Sequence, residues 1–261
     1  MALPPLANWD ATRDALHEIA LALGAIRVAC SDPLPNDLHF SLDVTADGIS
    51  TTGMRCGGEL HFDLKLLQLK FVRGDCVVFR LDVAGLSQIT LLRRLLACFR
   101  DCGYGIRPSM KHITSETEFA IDSAAAESYA LALNAAYTDL ARFRAKLRGY
   151  MTPLALWPHH FDLAFIWFPT DKTDEQSDPQ IAYGFAPCSP GLERPYFYAY
   201  AWSEASGYLD FPLDAPAQAI REGYIGLYAG YDALRDEAQH GAVLEKMLLN
   251  YHHRASAKLR S

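Results

Sequence analysis

Apolar positions recur at helical spacing near the start of the chain and then change to short alternating runs. The spacing from Trp9 to Leu23 predicts a first helix, and Gly24 is placed to cap its C-terminus. The runs that follow predict strands at 26–30, 38–44, 49–52, 58–64, 66–73 and 76–83. Because glycine-containing turns rather than helices separate these strands, we expect an antiparallel meander.

Helical spacing returns in the middle of the chain and again at its end. It predicts helices at 86–102, 124–147, 215–236 and 240–258. Between them, alternating or continuous apolar runs predict strands at 105–113, 160–168, 180–186 and 195–202. Since consecutive strands are not alternated with helices, the pattern favours an α+β fold in which helices cover mainly antiparallel sheet.

The two halves of the pattern resemble each other. In each half a helix is followed by a proline-containing turn and then by a His-Phe-x-Leu sequence, at 39–42 and at 160–163. This order predicts a diverged internal duplication with pseudo-two-fold symmetry. We expect residues 1–113 to form the first α+β half, 114–123 a connector and 124–261 the second half. Both halves are expected to share one core in a single compact unit.

Composition narrows the class of protein. Of 261 residues, 50% are hydrophobic and 21% are charged, which is typical of a packed globular chain. The net charge of -7, without a long basic run, makes a nucleic-acid partner unexpected. No apolar stretch reaches the ~20 residues that span a bilayer, so we expect no membrane segment. Six cysteines without a C-x-x-C pair or a secretory signal favour a cytoplasmic location.

The segment 156–168 carries the most unusual candidate chemistry. Alternation places His160 and Asp162 on one face of the predicted strand and His159 on the other. The apolar run after Asp162 predicts a buried strand, where a carboxylate needs a partner. We expect that partner to be a backbone N–H of the 153–160 turn or a cationic side chain. His159, His160 and Asp162 are therefore candidates for acid–base catalysis, with metal binding and simple core packing as alternatives.

The second constellation is the aromatic strand at 195–202. Tyr196, Tyr198, Tyr200 and Trp202 alternate onto one face. Phenols and an indole on an apolar wall are typical of ligand pockets, although they equally suit an aromatic packing layer. Because neighbouring antiparallel strands lie about 4.8 Å apart, we predict that this face and the 159–162 segment border one cavity.

Two classes of function remain open. A small-molecule-binding protein needs an aromatic wall and a few polar groups, whereas an enzyme needs titratable groups that converge on a cavity. No H-E-x-x-H, nucleophile-elbow or phosphate-loop motif is present, so the cofactor is unknown, and a transition metal stays an alternative. We predict small-molecule binding, with His/Asp acid–base or metal-assisted catalysis as the alternative. The expected ligand-binding residues are Trp157, Tyr196, Tyr198, Tyr200, Trp202 and His39.

Several of these stretches resemble a bacterial family known only as domain of unknown function 5996. The resemblance is carried by residues 157–164, 189–191 and 195–202 and by the helical end at 231–259, and it extends over most of the chain. It implies a shared fold but no established activity. The chain departs from the family near 36–40, where the family is richer in tryptophan and histidine.

Overall fold

The computed structural model describes residues 3–203, 212–220 and 226–259. The chain divides into two compact units, and the name N-terminal unit denotes Leu6–Asn134 with Leu156–Phe161. The C-terminal unit comprises Met1–Pro5, Ala135–Ala155 and Asp162–Ser261. Helices and antiparallel sheets make up the described residues, so the predicted α+β class is confirmed. The predicted domain boundaries and the single shared core stay predictions.

The N-terminal unit begins with helix α1 (Asp10–Cys30), which continues past its predicted end at Gly24. A Cβ atom on Gly24 would lie 2.9 Å from the Pro158 ring, so the glycine serves close packing rather than capping. Ile26 and Cys30 continue the buried face of the helix. The predicted strand at 26–30 is therefore wrong, because these residues extend the helical period.

A 3-10 helix (Pro35–Phe40) leads into a five-stranded antiparallel sheet whose strands lie in chain order, which confirms the meander. The strands are β1 (Asp43–Val44), β2 (Gly48–Ser50), β3 (Glu59–Asp63), β4 (Gln68–Arg73) and β5 (Cys76–Asp82). The predicted strand at 38–44 is wrong for most of its length. Asn36 and Asp37 adopt left-handed backbone angles, with φ of 53° and 50°, and so turn the chain before it can extend.

Helix α2 (Gln88–Asp101) follows the sheet, and an irregular segment comes after it. The predicted strand at 105–113 is wrong, because this segment has no strand partner among the described residues. The buried Gln88 side chain instead holds the C-terminal end of this segment. The Gln88 Nε2 donates to the His112 carbonyl at 3.0 Å, and the Oε1 accepts from the Thr114 N–H at 2.9 Å. Hydrogen bonds to one buried side-chain amide thus satisfy backbone groups of this segment that a neighbouring strand would otherwise pair.

Helix α3 (Ser123–Arg144) begins in the N-terminal unit and ends in the C-terminal unit. The strands that follow are β6 (Tyr150–Met151), β7 (Ala155–Trp157), β8 (Asp162–Phe168), β9 (Gln180–Ala186), β10 (Tyr196–Trp202), β11 (Gln218–Ile220) and β12 (Gly226–Gly230). They form a sheet in the order β11-β12-β10-β9-β8-β6, with β7 off this path. Helices α4 (Tyr231–Arg235) and α5 (His240–Leu259) come last.

The predicted helix at 215–236 is wrong, because its described part forms β11, β12 and only then α4; residues 221–225 lie outside the described residues. Leu227 and Ala229 are buried whereas Tyr228 is half-buried, which is the period of a strand. A Cβ atom on Gly226 would lie within 2.4 Å of the Ala199 carbonyl oxygen. The glycine therefore permits the close approach of β10 and β12.

One face of the C-terminal sheet packs against α3 and α5. The ring of Tyr183 lies edge-on to Phe143 at 4.9 Å, and its hydroxyl is hydrogen-bonded to the His252 Nδ1 at 2.7 Å. Trp167 lies edge-on to the same imidazole at 4.7 Å. Burial raises the pKa of Tyr183 well above its ordinary value, so the phenol stays protonated in this core.

The structure does not show the predicted duplication. His39 and Phe40 end the 3-10 helix, whereas His160 and Phe161 lie in a turn that precedes β8. The two His-Phe-x-Leu sequences therefore adopt different backbone conformations, although their residue types match.

Candidate functional site

Asp162, at the start of β8, is buried as the sequence predicts, with 8% of its surface exposed. The hydroxyl of Tyr198 donates a hydrogen bond to the Asp162 Oδ2 atom at 2.5 Å. This phenol is a donor that the sequence did not predict, and the expected donor, a backbone N–H of the 153–160 turn or a cationic side chain, stays a prediction. Burial and the adjacent carboxylate together raise the pKa of Tyr198 well above its ordinary value.

A glycine makes this pair possible. Tyr198 on β10 and Ala164 on β8 both face Gly184, which lies between them on β9. A Cβ atom on Gly184 would come within 2.5 Å of the Tyr198 ring and hydroxyl. The phenol therefore lies flat across the middle strand to reach Asp162.

The predicted aromatic face of β10 belongs to the C-terminal unit. The rings of Tyr196 and Tyr198 lie 6.0 Å apart, and Tyr198 stacks on Tyr200 at the same distance. The Tyr196 hydroxyl is hydrogen-bonded to the Ser189 Oγ at 2.7 Å. Trp202 is 39% exposed. The hydroxyls of Tyr196 and Tyr198 are thus hydrogen-bonded within the unit, and a ligand-binding role for this face stays a prediction.

His159 and His160 belong to the N-terminal unit, in the turn that follows Trp157. Their rings lie 4.3 Å apart, and the ring of Trp157 is edge-on to that of His159 at 5.9 Å. Because β8 begins only at Asp162, strand alternation does not apply to the histidines. The argument that placed His160 and Asp162 on one strand face is therefore wrong.

A stack of aromatic rings holds this turn. Trp9 stacks on Tyr129 at 5.0 Å, Tyr129 lies 5.4 Å from Phe161, and Phe161 stacks on His17 at 5.3 Å. Phe161 itself has a left-handed backbone, with φ of 54°. A bulky side chain adopts this conformation only where surrounding contacts compensate for its cost. The stack supplies those contacts.

His17 on α1 also holds the turn through its Nε2, which donates to the Pro158 carbonyl at 2.8 Å. Burial lowers the pKa of His17, so the ring is neutral at pH 7, and the hydrogen bond assigns its proton to Nε2. The sequence pattern did not single out His17. Its partner lies 141 residues away, so no local signal marks it.

A cavity of about 490 Å³ opens beside the turn, entirely within the N-terminal unit. This volume is typical of small-molecule sites, which span about 300–1,000 Å³. The apolar part of the wall is formed by Leu21, Ala25, Val28, Phe40, Ile113 and Pro158. The charged and titratable part is formed by Asp37, Lys111, His112 and His159. We call this cavity the α1 groove.

Of the predicted site residues, only His159 lines the α1 groove. His39 lies next to its rim: the Nδ1 accepts from the Leu34 N–H at 3.2 Å, and the ring lies 4.4 Å from that of Phe40. The sequence pattern did not single out Asp37, Lys111 or His112. Lys111 and His112 fall in the segment for which the pattern wrongly predicts a strand, and Asp37 falls in the proline-containing turn before the strand predicted at 38–44.

His159 is exposed at the mouth of the α1 groove, yet its pKa is lowered to about 4. The surrounding protein desolvates the ring, and the imidazoles of His160, His17 and His112 disfavour a further positive charge. Asp37 opposes this effect only in part. No hydrogen bond from the described residues engages the ring. His159 therefore presents a neutral imidazole with both nitrogens open to a ligand.

A second cavity, of about 660 Å³, lies in the C-terminal unit around Asp139 and His240. The His240 Nε2 lies 3.2 Å from the Asp139 Oδ2, and burial raises the pKa of Asp139. A Cβ atom on Gly241 would come within 2.8 Å of the Asp139 Oδ1, so the glycine makes room for the carboxylate. This imidazole lies within ion-pair distance of a carboxylate, whereas no ion pair with the described residues engages His159.

Metal binding has no preformed set of ligands in ranges 3–203, 212–220 and 226–259. No three His, Cys, Asp or Glu side chains within them converge closely enough to hold an ion. Within the same ranges, no helix has the length and apolarity to cross a lipid bilayer.

Comparison with curated proteins and with solved structures gives no significant match. A family profile, in contrast, matches residues 2–260, which is nearly the whole chain. Its description is a family of unknown function, and the match agrees with the resemblance carried by the 157–164 and 195–202 stretches. The chain belongs to the family of unknown function DUF5996.

Proposed function

We propose that this protein binds a small, largely apolar molecule in the α1 groove. The supporting observation is a cavity of about 490 Å³ whose apolar wall ends at the open imidazole of His159. An apolar wall with a few convergent polar groups is the usual composition of a small-molecule site.

The wall is a stripe along one face of α1. Leu21, Ala25 and Val28 follow each other at spacings of four and three residues, so they lie on the same side of the helix. All three are half-buried, and Phe40 on the facing 3-10 helix is 40% exposed. A ligand between them removes apolar surface from water, which stabilises the complex by roughly 25 cal/mol per Å² buried.

The groove is preorganised by its backbone. Left-handed residues occur on two of its borders, at Asn36 and Asp37 in the 3-10 helix and at Phe161 after the histidine turn. Such conformations cost about 1–3 kcal/mol each and persist where the surroundings impose them, commonly at binding sites. The aromatic stack and the His17 hydrogen bond hold the turn in this geometry before any ligand arrives.

The test is to fill the groove without disturbing the fold. Ala25→Leu places a larger side chain in the cavity, and leucine is a good helix former. The matched control is Ala11→Leu, the same change at an exposed position of the same helix. Ligands are first found by ligand-observed NMR with a library of apolar fragments, and their Kd values are then measured by calorimetry.

We expect Ala25→Leu to weaken the ligands at least about tenfold, while Ala11→Leu leaves the Kd values unchanged. Both variants should unfold cooperatively. Ligands that bind the Ala25→Leu protein as tightly as the parent protein would place the binding site elsewhere and overturn the proposal.

A further inference from the structure

We propose that the ligand of the α1 groove is an amphiphilic carboxylate, with its apolar tail along α1 and its anionic head against His159, His112 and Lys111. This inference rests on the function proposed above and adds the chemistry of the head group. It depends on which charged and titratable groups face the mouth of the groove.

Side chains that can donate a hydrogen bond outnumber carboxylates at this mouth. The segment after α2 contributes Lys111 and His112 to the lining, and the turn contributes His159. His160 and His17 lie outside the lining as neighbours of His159. Asp37, on the 3-10 helix, is the acidic residue of the described lining. Outside the lining, His17 also faces Asp14 and Arg13, which offset each other. Because the rings of His17 and His159 are neutral at pH 7, the preference for an anion rests on the Lys111 ammonium and on the imidazole N–H groups, which can donate hydrogen bonds to a carboxylate.

The geometry separates the two ends of the ligand. Leu21, Ala25 and Val28 form a wall without polar side chains, whereas His112 and His159 stand at the mouth with Lys111. Lys111 is exposed, and no hydrogen bond or ion pair with described residues engages its ammonium. A carboxylate head can therefore accept charge-assisted hydrogen bonds from the ammonium and from an imidazole at once.

Binding of an anion also changes the protonation of His159. The free imidazole is neutral at pH 6, because its pKa is lowered to about 4. A carboxylate beside the ring favours the imidazolium form and raises this pKa in the complex. Binding near pH 6 therefore takes up protons, and affinity rises as pH falls from 7 towards 6.

Three probes with the same tail separate the possible head groups: octanoate, octan-1-ol and octylamine. Calorimetry at pH 6 in two buffers of different ionisation enthalpy gives both the Kd and the number of protons taken up. We expect octanoate to bind at least about tenfold more tightly than octan-1-ol, and octylamine to bind more weakly than either. Proton uptake is expected for octanoate alone.

His159→Gln and Lys111→Met should each weaken octanoate binding several-fold more than octan-1-ol binding, because only the carboxylate head contacts the ammonium and the imidazole. Only His159→Gln should abolish proton uptake. The matched control is His253→Gln, an exposed histidine of α5, which should change neither quantity. Equal affinities for octanoate and octan-1-ol, with Ala25→Leu still weakening both, would overturn the carboxylate inference and leave the binding function intact. If no octyl probe binds, the inference is overturned, and the fragment screen with Ala25→Leu decides the binding function separately.

Discussion

Tyr198 in the C-terminal sheet and His159 in the α1 groove are both held in their neutral forms, but by opposite surroundings. The Tyr198 phenol is buried and donates to the Asp162 carboxylate at 2.5 Å. The His159 ring is exposed among other imidazoles, and no described residue accepts or donates a hydrogen bond there. A shifted pKa thus belongs to a hydrogen-bonded structural pair in the C-terminal unit and to an exposed imidazole without a hydrogen bond from the described residues in the N-terminal unit. It indicates a ligand site only where a hydrogen-bonding atom still faces a cavity.

The largest expected effect removes the acceptor of the structural pair. Asp162→Ala leaves the buried Tyr198 hydroxyl without this acceptor and should lower the free energy of unfolding by about 2–4 kcal/mol. Asp162→Asn keeps an acceptor oxygen and should cost less. Urea unfolding of the three proteins measures both changes. A cost for Asp162→Ala within experimental error would show that the phenol and carboxylate do not stabilise the sheet.

The next largest effect is expected at Gly184 on β9, the strand between Asp162 and Tyr198. Gly184→Ala puts a Cβ atom where the Tyr198 ring lies, and should cost about 1–3 kcal/mol because the ring must shift off Asp162. The matched control is Gly230→Ala, in the same sheet, where a Cβ atom meets nothing within 4 Å. Similar unfolding free energies for the two variants would contradict the crossing of Tyr198 over the glycine.

A smaller effect is expected for His17→Phe in the N-terminal unit. An aromatic ring at this position keeps the stack on Phe161 but loses the hydrogen bond to the Pro158 carbonyl, which costs about 1 kcal/mol. Ligand binding in the α1 groove should weaken as well, because Pro158 and His159 line it. Unchanged binding together with unchanged stability would show that the aromatic stack alone positions the turn.

The smallest effect is the response of stability to acid. The pKa values of His17 and His159 are lowered from 6.5 in the folded state, to about 4 for His159, so the unfolded chain binds protons first as pH falls. Their contribution to stability is complete above about pH 6.5 and is lost as pH falls towards 4. Thermal unfolding between pH 7 and pH 4.5 measures this loss, which His159→Gln should reduce. An equal loss in His159→Gln would assign the acid sensitivity to other groups.

Local patterns located much of the fold from the sequence. The strand predicted at 180–186 is the strand observed there, and the strand predicted at 195–202 begins one residue late. The helix ending at Cys30 was cut short at Gly24, because a glycine pressed against Pro158 reads locally as a cap. The period of the apolar positions indicates an element, whereas the reason for an isolated glycine depends on a distant neighbour.

The candidate site was harder to predict for the same reason. The sequence singles out His159 by its unusual neighbourhood and Asp162 by its place in an apolar strand, but it does not predict the phenol of Tyr198, two strands away, as a hydrogen-bond donor to Asp162. Gln88, which fixes the segment carrying His112, bonds to residues 24 and 26 positions further along the chain. Contacts of this range leave no periodic signal in the sequence.

The six residues at 156–161 return to the N-terminal unit after the chain has already entered the other unit at residue 135. During synthesis, the ribosome therefore releases α1 and the five-stranded sheet before it makes Pro158 and His159. The part of the α1 groove formed by Pro158 and His159 is among the last parts of that unit to emerge. A nascent chain that ends before residue 158 therefore has the helical wall of the groove but not the His159 imidazole. The proposed ligand binding therefore requires that α3, β6 and β7 have already been translated in full.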